Sequence, residues 1–184
     1  MLISAAQCGL VIIDLQERLI PVIQNAENII NSTNILIKSA SKLNIPILFT
    51  EQYPKGLGKT EANLLANCEN EANIISKLTF SAAINLDFCS ILDEWRSKGR
   101  NQIILCGAET HVCVLQTAAG LIERDHTVFL VEDACGSRTQ ANRSAGINRI
   151  RSMGGNCVTT EMVVFEWLEI AGSDEFRKLS KLIK

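Results

Sequence analysis

The sequence predicts an α/β protein built on a parallel β-sheet, and three observations lead to this fold class. Short runs of strand character alternate along the chain with longer segments of helical period, which is the pattern of repeated βαβ units. Most of the short runs are apolar throughout, as strands are when both faces of a sheet are covered. The composition, with 47% hydrophobic and 21% charged residues, is that of a packed globular protein.

Six short runs are predicted as strands. In chain order they are CGLVII (8–13), PILFT (46–50), NIIS (73–76), QIILCG (102–107), TVFLV (127–131) and NCVTT (156–160).

Five segments are predicted as helices. The first of them carries apolar residues that recur on one side, namely Ile29, Ile30, Leu36, Ile37 and Ala40. The segments are about 25–43, 84–98, 112–124, 139–153 and 163–183, the last with a candidate break at Gly172. Residues 50–70 are predicted as one long connection, because Pro54, Gly56 and Gly58 interrupt it. Loops of this length are commonly functional or mobile.

Length and charge restrict the domain count and the partners. A chain of 184 residues fits a single domain over residues 1–184. The net charge of −2 gives no electrostatic reason to expect nucleic acid as a partner, and the basic segment 137–151 is predicted to be a solvated helix face.

The cysteines and the first residues indicate a compartment. Residues 1–10 lack the pattern of a signal peptide, and no apolar run has the length of a membrane span. Seven cysteines without CxxC pairing are typical of reduced thiols in a cytosol. We therefore expect a cytoplasmic protein with no membrane association.

Three residues of complementary chemistry are predicted to meet at one edge of the sheet. Ligands of parallel α/β sheets bind outside the carboxyl ends of the strands. Asp14 follows the first strand, Lys77 follows the third, and Cys113 lies near the start of the helix after the fourth. A base, a cation and a nucleophile therefore converge.

Neither histidine is well placed to serve this thiol. His126 precedes the fifth strand and should lie at the opposite edge of the sheet, and His111 is about 200° around a helix from Cys113. The helix N-terminus and Lys77 would favour the thiolate of Cys113, and Asp14 can accept the thiol proton as a general base.

Each of the three residues also has a purely structural interpretation. A cysteine at a helix start is often a small buried residue, an aspartate after a strand is often an N-cap, and a lysine there is often a surface charge. Their convergence on one edge favours the functional interpretation over these alternatives.

At these residues the chain resembles the isochorismatase-like cysteine hydrolase family. The resemblance runs from GLVIIDLQERL (9–19) to TTEMVVFEWL (159–168) and includes KLTFSA with Lys77, CGAETHVCVLQTA with Cys113 and VFLVEDACGSR. The segment TEQYPKGLG (50–58) resembles the corresponding segment in a subgroup of isochorismatase-domain-containing proteins. The dinucleotide-binding alternative lacks its G-x-G-x-x-G after the first strand.

The resemblance implies a fold and a catalytic arrangement. The fold is a three-layer, doubly wound six-stranded parallel sheet with helices on both faces, similar to a Rossmann fold. The catalytic residues are a triad of Asp14, Lys77 and Cys113. A cis peptide bond just before Glu109 orients the backbone amides of Glu109 and Cys113 as an oxyanion hole.

The sequence departs from the family pattern after the second strand, and this departure affects the expected metal binding and substrate class. Nicotinamidases of this family bind a metal through an aspartate and histidines after the second strand, and residues 50–60 contain no histidine. We therefore expect no metal, no other cofactor and no nicotinamidase activity. Candidate substrate-binding residues are Gln16, Tyr53, Phe80 and His111, of which Tyr53 and Phe80 fit equally as core or lid residues.

Three functional hypotheses follow from the sequence. The first is a metal-independent hydrolase that cleaves an amide or carbamoyl C–N bond of a small molecule through a Cys113 thioester. The alternative is a catalytically silent binding or assembly module that retains the fold. A nuclease is the weakest hypothesis, because the chain is acidic and lacks a carboxylate cluster for two metals. The resemblance also implies a homo-oligomer.

Overall fold

The protein is an α/β structure in which six parallel strands form one sheet within the described residues. The structure, a computed structural model, describes residues 1–68 and 72–183. The sheet has the order β3-β2-β1-β4-β5-β6, and all of its pairings are parallel. The strands are β1 Cys8–Ile13, β2 Ile47–Gln52, β3 Asn73–Lys77, β4 Gln102–Ala108, β5 Thr127–Gly136 and β6 Asn156–Val158. The predicted fold class is confirmed.

Helices cover both faces of the sheet. They are α1 Ala26–Lys42, α2 Pro54–Leu57, α3 Ala62–Ala66, α4 Leu86–Ser97, α5 Leu115–Glu123, α6 Gln140–Ser152, α7 Thr160–Leu168 and α8 Asp174–Leu179, with short 3₁₀ turns at 20–22, 82–84 and 180–182. Helices α1 and α7 pack together on one face, while α5 and α6 pack together on the other. Because parallel strands are joined by right-handed crossovers, the reversal of strand order at β1 sends the helices to opposite faces.

The continuous apolar runs lie in the centre of the core. Every residue of β1, β2 and β4 is buried, whereas β3 at the sheet edge is buried only at Lys77. Burial on both faces removes the alternation that a half-exposed strand would show. The charged end of the edge strand is therefore the part of β3 that enters the interior.

Several predicted boundaries are wrong. Strand β5 continues to Gly136 through a register shift against β4, whereas the sequence predicted its end at residue 131. The predicted end of the last strand at residue 160 is also too late, because the Thr159 hydroxyl accepts a hydrogen bond from the Met162 amide and caps α7. The predicted helix 163–183 starts earlier, at Thr160, and its candidate break at Gly172 is confirmed, because Glu169 and Gly172 at positive φ separate α7 from α8.

The connection after β2 is tied to the segment after β1. The Glu17 amide donates to the Lys59 carbonyl and the Arg18 amide to the Leu57 carbonyl, at 2.9 and 3.1 Å. The Glu51 carboxylate accepts from the backbone and hydroxyl of Thr60 at 2.7 and 2.9 Å. The prediction of one long connection over 50–70 is wrong, because β2 continues to Gln52 and the short helices α2 and α3 follow it. The last two residues of the predicted connection lie outside the described part of the chain.

Gly107 sets the approach of β4 to β1 just before the site. Its φ is +123°, and a Cβ added there would lie 2.1 Å from the Ile13 carbonyl oxygen. We expect Gly107→Ala to lower the free energy of unfolding by at least about 2 kcal/mol, because backbone strain and overpacking add. Gly99→Ala is the matched control: Gly99 also has a positive φ but has nothing within 4 Å of the added Cβ. Urea unfolding should show a clearly smaller loss for the control, and equal losses would contradict the steric explanation.

Candidate active site

Asp14 turns the chain out of β1 and presents a buried carboxylate. Its φ of +51° follows directly on the last residue of the strand, and the residue is fully buried. The Thr50 hydroxyl donates to Oδ1 at 2.6 Å, and the Lys77 ammonium donates to Oδ2 at 2.7 Å. Both oxygens of the carboxylate are therefore fixed by donors from β2 and β3.

Lys77 ends β3 with its ammonium group inside the protein. Its side chain has no exposed surface, and Nζ donates to three oxygens: Asp14 Oδ2 at 2.7 Å, Gln52 Oε1 at 2.8 Å and the Phe80 carbonyl at 3.3 Å. A buried charge is tolerated when an opposite charge and further hydrogen bonds compensate its lost hydration. The Lys77 ammonium has both kinds of compensation: the Asp14 carboxylate is the opposite charge, and Gln52 and Phe80 accept the further hydrogen bonds.

Cys113 lies in a π-helical turn, Thr110–Val114, which precedes α5. Its thiol interacts with both Asp14 and Lys77 by charge and by side-chain hydrogen bonding. The structure therefore brings together the three residues that the sequence placed at one edge, which come from three different strand ends.

The electrostatics of the thiol differ from what the sequence suggested. Burial, with the Asp14 charge second, raises the pKa of Cys113 to about 12, and Lys77 only partly opposes this. The expectation that the helix start and Lys77 would favour a thiolate did not include the burial of the sulfur. The surroundings of Cys113 therefore favour the neutral thiol over the thiolate.

The other cysteines are also thiols without partners in disulfide bonds. All seven are free, and burial raises the pKa of Cys106, which is fully buried in β4, to about 12. Cys106 lacks the neighbouring ammonium that Cys113 has.

The turn between β4 and the π-helical turn contains a cis peptide bond between Ala108 and Glu109. The Glu109 carboxylate is largely buried and accepts from the Arg138 backbone amide at 2.9 Å and from Arg138 Nε at 3.2 Å. Arg138 thus ties this turn to the segment after β5. The Arg138 side chain is 60% exposed, so the Arg138–Glu109 ion pair lies at the protein surface.

The four predicted substrate-binding residues lie around the triad in different ways. Tyr53 and Phe80 are about half exposed, and the backbone of each contacts Lys77. The Tyr53 amide donates to the Lys77 carbonyl at 2.8 Å, and the Phe80 carbonyl accepts from Lys77 Nζ at 3.3 Å. His111 is partly buried, with Nδ1 3.1 Å from the Ser137 hydroxyl. Gln16 is fully buried, and its amide bonds the backbone of Gln52 and Gly58. Substrate contact by these residues stays a prediction.

Sequence reasoning missed three residues that contact the site, namely Thr50, Gln52 and Arg138. The period of two along β2 could have found the first two, because residues 50 and 52 share one face of the strand. Thr50 is in register with Ile13 just before Asp14, and Gln52 is in register with Lys77. No comparable periodicity marks Arg138, which pairs with Glu109 across 29 residues of sequence.

Metal ligands do not cluster within the described residues, where no three His, Cys, Asp or Glu side chains are arranged to hold an ion. Glu51, the carboxylate closest in sequence to the loop after β2, has one oxygen bound to Thr60. Within the described residues, no helix is both long and apolar enough to cross a membrane.

His126 lies at the amino end of the sheet, just before β5, as predicted. It is buried, and within the described residues neither ring nitrogen has a hydrogen-bond partner of normal geometry. Burial, followed by the Arg96 guanidinium, lowers the pKa of His126 from 6.5 to about 4. This histidine is neutral in the folded protein at pH 7.

The depressed pKa of His126 predicts a pH dependence of stability. Below pH 6.5 the unfolded chain takes up the proton before the folded chain does, so stability is lost as the pH falls from about 6.5 to about 4. We expect His126→Leu to show a smaller loss over this range and no loss of stability at pH 7, since an unsatisfied buried polar group is removed. Urea unfolding of both proteins at pH 7 and pH 4.5 measures this. Identical pH dependence in the two proteins would contradict it.

The six-stranded parallel sheet, with the Asp-Lys-Cys cluster at the ends of its strands, defines a class of three-layer α/β proteins, and comparison with known proteins identifies the family. The isochorismatase domain model matches residues 8–162. Isochorismatase domain-containing protein 2A of Mus musculus is 37% identical over 174 residues, covering 93% of this chain and 80% of the mouse protein. The chain therefore belongs to the isochorismatase family.

Two solved structures are closely similar to the fold. The MAR1 ribonuclease of Caenorhabditis elegans superposes with a TM-score of 0.91 at 33% sequence identity, covering 100% of this chain and 92% of that one. The YcaC gene product of Escherichia coli, described as an octameric hydrolase of unknown specificity, has a TM-score of 0.90 at 23% identity, covering 99% of this chain and 90% of that one. At 23% identity, the similarity to the YcaC product shows a shared fold and nothing about activity.

Proposed function

We propose that the protein is a metal-independent cysteine hydrolase that cleaves an amide or carbamoyl C–N bond of a small molecule. The observation that carries the proposal is the cluster of a thiol, a carboxylate and an ammonium, in which Cys113 interacts with both Asp14 and Lys77. The burial of all three groups supports a small substrate, because only a slender reacting group reaches the sulfur.

The first half-reaction forms a thioester. The Cys113 sulfur attacks the carbonyl carbon while its proton passes to Asp14, and the carbonyl oxygen takes the negative charge. Because the thiol has a pKa of about 12, free thiolate is scarce at neutral pH, and proton transfer must accompany attack. Collapse of the tetrahedral intermediate breaks the C–N bond, and Asp14 returns the proton to the leaving nitrogen.

The second half-reaction restores the thiol. A water molecule gives a proton to Asp14 as its oxygen attacks the thioester carbon. The C–S bond then breaks, the acid leaves, and the proton passes from Asp14 to the sulfur. Lys77 keeps the carboxylate oriented and offsets the charge that develops on sulfur in both steps.

The backbone amides of Glu109 and Cys113 are proposed to bind the oxyanion. Both belong to the turn that begins at the cis bond and continues as the π-helical turn. The Arg138 contacts to the Glu109 carboxylate hold this turn, which supports a preorganised oxyanion hole.

A substrate panel tests the proposal. Small amides, carbamates and ureas are incubated with the protein, and released ammonia or amine is measured. We expect turnover of at least one compound, lost in Asp14→Asn and unchanged by added EDTA. An absence of turnover across the panel would count against the hydrolase and favour the silent binding module.

RNA is a second candidate substrate, because the similar nematode structure carries the name ribonuclease. Against this candidate, Asp14 is fully buried and the net charge of −2 gives little phosphate attraction. Incubation with single-stranded RNA distinguishes the two. Cleavage that is lost in Asp14→Asn would favour the ribonuclease, and cleavage equal in both proteins would identify a contaminant.

We also infer that the chain folds as a single domain, forms a homo-oligomer and is cytoplasmic. The segment after β3 exposes apolar side chains that a second copy could cover, at Leu78, Ile84 and Leu86. Light scattering coupled to gel filtration would measure the oligomeric state, and a monomer at micromolar concentration would contradict the homo-oligomer.

A further inference from the structure

We propose that Gln52 is a positioning residue that holds Lys77 with an uncharged acceptor, so that the ammonium charge stays directed at Asp14 and Cys113. This inference rests on the proposed function for its catalytic meaning. The geometry it depends on is the 2.8 Å bond from Lys77 Nζ to Gln52 Oε1.

The orientation of the Gln52 amide is determined by a second contact. Its Nε2 donates to the Leu78 carbonyl at 2.8 Å, so the amide oxygen must face the lysine. An inverted amide would place an NH₂ group against an ammonium and a carbonyl against a carbonyl. The side chain therefore offers Lys77 an acceptor in one orientation only.

The backbone of Gln52 is held by Gln16 in place of a strand. Strand β1 pairs with β2 only as far as Ile13 opposite Thr50, whereas β3 pairs with β2 up to Lys77 opposite Gln52. On the β1 side of Gln52, Gln16 Oε1 accepts from the Gln52 amide at 2.8 Å and Gln16 Nε2 donates to the Gln52 carbonyl at 3.1 Å. Because β1 turns away from β2 at Asp14, the side-chain amide of Gln16 makes the two hydrogen bonds to the Gln52 backbone that a neighbouring strand would otherwise make.

The absence of charge on Gln52 matters for Cys113. Lys77 has three N–H groups, and besides Gln52 it bonds Asp14 and the Phe80 carbonyl while also interacting with the thiol. A neutral acceptor orients the ammonium without cancelling its charge. A carboxylate at residue 52 would compete with Asp14 for the cation and would weaken its support of negative charge on sulfur.

The test measures alkylation of Cys113 by iodoacetamide, resolved by peptide mass spectrometry, as a function of pH in the full chain. We expect Gln52→Glu to lower the alkylation rate at pH 9 by about 10-fold, the effect of raising the thiol pKa by one unit. Gln52→Met should also lower it, because the charged lysine loses a hydrogen bond, and this variant replaces the first if Gln52→Glu does not fold.

A matched control separates positioning from general stability. Gln102 is also a buried strand glutamine whose amide bonds backbone groups, accepting from the Ser4 amide and donating to the Leu2 carbonyl, but it lies at the amino end of β4. Gln102→Glu should leave Cys113 alkylation within twofold of wild type. Rates within twofold of wild type in both Gln52 variants, or an equal fall in Gln102→Glu, would overturn the inference.

The alkylation readout needs no substrate, so it remains valid if the proposed hydrolase reaction fails. Where the panel yields a substrate, we expect Gln52→Glu to reduce kcat with little change in KM. Slowed alkylation without any substrate would uphold the contact between Gln52 and the Lys77–Cys113 pair while counting against the hydrolase. Normal alkylation with intact turnover would overturn the role of Gln52 alone.

Discussion

Replacing Cys113 with alanine is expected to lower kcat/KM by about 1,000-fold or more on the substrate that the panel identifies. The proposed reaction forms a covalent bond to the sulfur, and no other group near Asp14 and Lys77 replaces it in the mechanism. The fold should survive, because alanine removes only one buried heavy atom, the sulfur. Steady-state kinetics and thermal unfolding of the purified variant measure the two effects.

Cys157→Ala is the control for the loss of a thiol. Cys157 is a free, partly buried cysteine in β6, at the opposite edge of the sheet from Lys77 in β3. We expect it to retain turnover within about twofold of wild type, as a small change distant from the site usually does. A Cys113→Ala protein that keeps a tenth of the activity, or an equal loss in Cys157→Ala, would remove the nucleophile from the mechanism.

Replacing Lys77 with methionine is expected to lower the free energy of unfolding by about 3–5 kcal/mol. Both side chains of the Lys77–Asp14 pair have no exposed surface, so removal of the cation leaves the Asp14 carboxylate buried without a counter-charge. Methionine keeps the apolar length of the lysine stem, which limits cavity formation. Urea unfolding monitored by circular dichroism measures the change.

The double variant Asp14→Asn/Lys77→Met separates the cost of an unpaired charge from the value of the pair. With no buried charge left, it should recover most of the lost stability, as replacement of a buried ion pair by neutral groups often does. Its turnover should stay as low as that of the single variants, because both the base and the cation are gone. Additive destabilisation in the double variant would contradict this electrostatic account.

The fold could be predicted from the sequence because its central strands are apolar on both faces. The runs at 8–13 and 102–107 need no partner information to be recognised, and they match β1 and β4 within one residue. The errors lie where polar residues continue a strand or where a helix starts irregularly. Glu132 and Asp133 concealed the continuation of β5, and no residue pattern distinguishes a π-helical turn at Thr110–Val114 from an α-helical one.

The candidate site could be predicted in its members but not in its contacts. The position of Asp14, Lys77 and Cys113 after strand ends was enough to place them at one edge. Which acceptor Lys77 takes depends on the register of β3 against β2, which the sequence does not encode in any local pattern. The neutral state of the thiol depends on burial, which outweighs the nearby ammonium only once all neighbouring atoms are in place.

The most direct test of the proposed mechanism is the mass of the protein during turnover. Intact-protein mass spectrometry after rapid acid quench should show the acyl group of the substrate added once, with the modified peptide containing Cys113. The adduct should be absent in Cys113→Ala. Full-rate turnover with no adduct at any quench time, or the same adduct in Cys113→Ala, would contradict covalent catalysis by Cys113.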